Sequence, residues 1–141
     1  MVNYWLCVTN EENWRVVKSK KVWGVPEKRG RKIIEAVRPG DYLIFYVKSK
    51  RIGGIFEAVS EVFESSERIF SWGEFGREEI FPFRVKLRPV VVADEPIEIG
   101  ELIGKLSFTK GLRRWSVRLR RAMLRVSARD FKLIRGLLES R

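Results

Sequence analysis

The amino-acid sequence predicts a mixed α+β domain built around an antiparallel sheet or small barrel. Three observations carry that expectation. Apolar runs rich in β-branched and aromatic residues, such as YLIFYV, recur between turn signals. FPFRVKLRPVVV alternates cleanly between apolar and basic residues, the period of a half-buried strand. Strand-like and helical segments also follow one another as strand, two helices, several strands and then helices. The 141 residues suit one domain over 1–141, large enough to bury a real core.

Tyr4–Thr9 (YWLCVT) reads as a buried first strand. Thr9 and Glu12 form a T-x-x-E capping box, which opens a short helix to about residue 18 with Trp14 and Val17 on one face. Residues 20–32, KKVWGVPEKRGRK, are broken by Gly24 and Pro26 and read as a loop. Ile33, Ile34 and Val37 have helical spacing and predict a second helix over about 31–37. RPGD at 38–41 is a turn signal ahead of an apolar strand, Tyr42–Val47.

Residues 52–63 form a further strand, in which Gly53 and Gly54 mark a bulge or a close approach. Residues 64–79 are too polar and glycine-punctuated for a strand, yet carry Phe70, Trp72 and Phe75. Those rings either mark an interaction site or fold back onto the core. Over 81–92, Phe83, Val85 and Leu87 share one strand face, and Arg84, Lys86 and Arg88 the other. Residues 99–106 read as a short helix, and 113–121 fit strand or helix equally. Ser127 and Asp130 cap a last amphipathic helix to about residue 139, with Phe131, Ile134, Leu137 and Leu138 facing inward.

The net charge is +11, and its distribution is uneven. Residues 1–55 carry a net +7, residues 56–101 a net −6 and residues 110–141 a net +9. Positive ends flanking an acidic middle point to a polyanionic partner. Abundant Glu, Lys and Arg, with no Gln and three Asn, fit a thermophilic origin. No apolar run approaches bilayer length and no charged-then-apolar leader opens the chain, so a cytoplasmic location without membrane contact is expected.

Catalytic chemistry has little to work with. The absence of His removes the commonest general base and makes a zinc site untenable, and a single Cys7 excludes an internal disulfide. Dinucleotide-binding and P-loop motifs are absent. Glu57 and Glu61 share a strand face, which a solvated surface explains. No catalytic residue, metal or cofactor is therefore expected.

The aromatic pattern says more. Two indole rings can sandwich a flat nucleobase at about 1–3 kcal/mol per stack. A methyl group adds contact, and a positive charge adds a cation–π term. Lys and Arg nearby would hold phosphates, giving affinity without sequence information. A base must be unpaired or flipped to enter such a slot.

YWLCVTNEENW, followed by KKVWGVPEKRGRKIIEAVRPGDYLIFYVKSKRIGGIFEAVSEVF and later by FPFRVKLRP, resembles the EVE domain family of the PUA-like superfamily. It is also similar to the related YTH domains, which read methylated adenine in RNA. The resemblance covers nearly the whole chain. It implies a PUA-like small β-barrel, mostly antiparallel, flanked by helices and holding a pocket for a modified base. By that resemblance Trp23, which follows a valine, is one cage wall and Trp72 a second. Asn10 would read the base edge, and Phe70, Phe75 or Tyr46 would supply a third wall. Lys20, Lys21, Lys28, Arg29, Arg31 and Lys32, with Arg113, Arg114 and Arg118, would hold the backbone of RNA or DNA.

The expected function is a non-enzymatic, monomeric module that captures a modified base. One rival is a PUA-like domain for structured tRNA or rRNA, in which the basic C-terminal segment dominates and Trp23 is core. The other is a hydrolase of modified nucleosides, using Glu57.

Overall fold

The computed structural model describes residues 2–48, 50–70, 80–102, 104–106 and 122–140, with only the backbone described at 27–29. Seven strands form one mixed sheet: β1 (Tyr4–Thr9), β2 (Val22–Val25), β3 (Tyr42–Val47), β4 (Arg51–Ala58), β5 (Phe63–Glu64), β6 (Phe83–Glu98) and β7 (Met123–Val126). Helices α1 (Glu11–Lys20), α2 (Glu27–Ile34) and α3 (Ala128–Glu139) pack around it. The strand order is β2-β6-β4-β3-β1-β7, with β5 also on β6. All pairings are antiparallel except β1 with β3.

The long β6 curls the sheet into a half-barrel. Its first residues pair with β2 and β5, and the rest pairs with β4 through two register shifts. The architecture is the expected α+β, PUA-like small barrel flanked by helices.

The central strands are apolar on both sides because each face has its own cover. Trp5, Cys7, Phe45, Val47 and Phe56 point into one cluster with Trp14 of α1 and Trp23 of β2. Leu6, Val8, Ile44, Tyr46 and Ile55 point into the other, beneath Phe131, Ile134 and Leu138 of α3. At one end of the sheet the buried Asp41 gathers three donors. It accepts from Asn3 N, Trp5 Nε1 and Arg38 N, each at 3.0 Å. The preceding Gly40 has φ +96°, the left-handed conformation that lets the RPGD turn close.

Several local expectations are corrected. The cap of α1 is Asn10, not Thr9: Asn10 Oδ1 accepts from Asn13 N at 2.7 Å, while Thr9 ends β1 and is buried. Residues 22–25 are a strand rather than a loop, because β6 supplies backbone partners from far along the chain. Helix α2 begins at Glu27, directly after Pro26. The expected strand over 52–63 divides into β4 and β5, with a bend at Ser60, whose Oγ accepts from Lys86 N at 2.9 Å. A 3-10 turn at Ile99–Glu101 replaces the helix expected over 99–106, and residues 113–121 lie outside the described residues. The cap of α3 is as expected, Ser127 Oγ accepting from Asp130 N at 3.1 Å.

The adjacent glycines of β4 do mark a close approach, and its occupant is Trp14. A Cβ on Gly53 would lie 2.7 Å from Trp14 Cζ2, and one on Gly54 2.7 Å from the Val91 carbonyl oxygen.

Candidate functional site

Trp23 sits in the middle of β2, cross-strand from Val85 of β6. Its indole is only 2 % exposed. Phe45 of β3 meets it edge-on at 5.4 Å and 80°, and Phe70 does so at 6.4 Å and 76°. Phe70 in turn stacks on Phe81 at 5.7 Å and 19°. Trp14 also packs on Phe45, at 5.4 Å. Among the described residues, Trp23 Nε1 is the one buried side-chain nitrogen or oxygen without a hydrogen-bond partner.

The ring assigned to a loop at the surface is therefore a buried strand residue. The alternation of β3 separates the other candidates. Phe70 joins Trp23, but Tyr46 points into the opposite cluster with Ile44 and Ile55, where burial pushes its phenol pKa up. Its neighbour Phe45 has the orientation expected of Tyr46. Asn10 uses its Oδ1 to cap α1. Trp72 and Phe75 lie outside the described residues, as do Arg113, Arg114 and Arg118.

The basic residues flank β2 in the chain. Lys20 and Lys21 close α1 on one side, while Lys28, Arg29, Arg31 and Lys32 belong to α2 on the other. Lys20, Lys21, Arg31 and Lys32 are exposed. Arg31 spreads its guanidinium over Phe83 at 4.8 Å and pairs with Glu35 at 3.0 Å. A separate hollow of about 230 Å³ opens beside Trp14 and Gly53. Glu11 and Asp94 line it together with Lys18 and Arg51, so a phosphate would find no net charge attraction there.

A family profile described as the EVE domain matches residues 3–137. The chain belongs to the EVE domain family. A UPF0310 protein of Pyrococcus abyssi is 44 % identical over 97 % of this chain and 100 % of its own length. Another, from Pyrococcus horikoshii, is 38 % identical over 97 % of this chain and 99 % of its own. Solved structures share the fold at low identity. The human THYN1 protein, in complex with 5-methylcytosine-containing DNA, aligns at TM-score 0.67 and 17 % identity, covering 97 % of this chain and 98 % of that one. The YTH domain-containing protein mmi1, in complex with RNA, aligns at TM-score 0.64 and 15 % identity, covering 97 % and 81 %.

Within this EVE domain, sequence reasoning missed two residues at the candidate site. Phe45 was hidden in a strand apolar on both faces. Arg84 shares the basic face of β6 with Lys86 and Arg88, yet it is 1 % exposed. Its Nε donates to Phe81 O at 3.0 Å, Nη1 to Ser65 Oγ at 2.9 Å, and Nη2 to Ile80 O at 2.8 Å and to Glu67 O. Its guanidinium also faces the Phe70 ring at 5.3 Å. Burial lowers the Arg84 pKa, and the Glu67 carboxylate acts in the opposite direction.

Proposed function

We propose that this EVE domain is a non-enzymatic nucleic-acid-binding module that captures a methylated, unpaired or flipped base at Trp23. The observation that carries the reading is the buried indole N–H with no acceptor. Such a donor costs about 1–3 kcal/mol in a folded protein and calls for a reason. A nucleobase rim offers carbonyl and ring-nitrogen acceptors, so a bound base can relieve that cost. Phe45 and Phe70 supply aromatic surface for a methyl group. Exposed Lys20, Lys21, Arg31 and Lys32 supply the phosphate contacts. The nucleic-acid complexes of the THYN1 and mmi1 relatives support the partner class. Glu57, the carboxylate a hydrolase would use, is engaged by Arg88 at 2.9 Å.

A second reading is favoured by the 2 % exposure of Trp23, which suits a core ring. In it the domain grips structured RNA through its basic surface, with no base cage. Four oligonucleotides separate the two: single strands carrying 5-methylcytosine or N6-methyladenine, and their unmethylated twins. Base capture predicts that one methylated strand binds tighter than its twin and that Trp23→Ala erases the difference. Surface binding predicts equal affinities, lowered by neutralising Lys20, Lys21, Arg31 and Lys32 and insensitive to Trp23.

A further inference from the structure

We infer that Arg84 is the positioning residue that holds Phe70 against Trp23 and thereby sets the selectivity of the base site. This rests on the base-capture reading. The four acceptors of its guanidinium come from two stretches of chain, 65–67 and 80–81. One side chain thus fastens both stretches to β6, and Phe70 follows three residues after the first of them. The guanidinium lies over Phe70, and Phe70 stacks on Phe81, whose carbonyl Arg84 also holds.

The opposite strand is shaped to admit this cluster. Gly24, next to Trp23, pairs in register with Arg84. A Cβ on Gly24 would stand 2.8 Å from Phe70 Cε2, 3.1 Å from Arg84 Cγ and 3.1 Å from the Phe81 carbonyl oxygen. Glycine at that position lets Phe70 approach β2 closely enough to meet the indole. Phe70 is therefore packed among four fixed neighbours: Gly24, Arg84, Phe81 and Trp23.

A lysine cannot do the same work. Its single ammonium lacks the planar fork that reaches carbonyls on two segments at once, although it keeps the charge. Arg84→Lys consequently separates positioning from electrostatics.

Two readouts test the assignment. Without ligand, the Phe70 ring protons of the parent carry the ring-current shift of Trp23. In Arg84→Lys they should move toward unstructured values, while the methyl signals of Leu6 and Ile44, in the other core cluster, stay in place. With ligand, Arg84→Lys should lower affinity for the methylated strand about tenfold, a change of about 1.4 kcal/mol. Binding of its unmethylated twin should be unchanged, and Phe70→Leu should give the same pattern. Unmoved Phe70 signals overturn the assignment, as does an equal loss for both strands. A parent protein that does not distinguish the strands defeats the base-capture reading alone. The ligand-free Phe70 signals then still decide whether Arg84 positions that ring.

Discussion

Trp23 meets Phe45 edge-on, with ring centroids 5.4 Å apart, and the surrounding aromatic carbon leaves its N–H without an acceptor. Trp5 is equally buried, but its Nε1 donates to Asp41 at 3.0 Å. Replacing each indole by phenyl removes similar buried volume. At position 23 it also removes an unsatisfied donor, whereas at position 5 it breaks a bond and leaves a buried carboxylate short of a partner. Trp5→Phe should therefore destabilise the fold more than Trp23→Phe, by about 1–3 kcal/mol. Urea denaturation of the two variants measures the difference, and equal losses would contradict it.

Gly53→Ala places a methyl 2.7 Å from Trp14, a ring already confined by Phe45 at 5.4 Å and Phe56 at 5.9 Å. The Trp14 ring must shift to admit it, and the expected cost is about 1–3 kcal/mol. Gly100→Ala is the control, because nothing lies within 4 Å of its Cβ position. Thermal melts should show a lowered Tm for the first variant and none of that loss for the second.

Asn10→Ala tests two roles in one residue. Loss of the cap on Asn13 N should cost about 1 kcal/mol, and Asn10→Ser should recover most of it. If Asn10 also reads the base edge, the serine variant recovers stability but not affinity for the methylated strand. Paired denaturation and binding curves distinguish the outcomes.

Burial pushes the Cys7 thiol well above its ordinary 9.0 and raises the Tyr46 phenol above 10.0. The unfolded chain releases these protons at the ordinary values, while the folded chain retains them. Stability from this source is complete below pH about 9 and falls as the pH rises further. A Tm series from neutral to alkaline pH should show the decline, and Cys7→Ala should make its onset shallower. A decline identical in both proteins would assign it elsewhere.

Much of the fold was legible because local pattern and global packing agree. YWLCVT and YLIFYV are apolar at consecutive positions since α1 and α2 cover one face of the sheet and α3 the other. The site was harder to read for the same reason. When both faces of a strand are buried, composition cannot say whether Phe45 or Tyr46 turns toward Trp23; only the register decides. Strand β2 was obscured by the turn-like Gly24 and Pro26, although Gly24 is there to admit Phe70. Arg84 obeys the alternation of β6, but carbonyls from residues distant in sequence convert its apparent solvent face into a buried niche. Trp23, by contrast, is singled out by the family resemblance, and its burial is the arrangement that the structured-RNA alternative expects.

The central claim is that the Trp23 N–H awaits an acceptor on a bound base. The most direct measurement follows the indole N–H signals of the 15N-labelled protein during titration with the methylated strands and their unmethylated twins. The account predicts that a methylated strand shifts the Trp23 signal and slows its exchange with water, while its unmethylated twin shifts mainly the amides around Lys20, Lys21, Arg31 and Lys32. A Trp23 signal unmoved by every strand, while those basic segments respond, would contradict it.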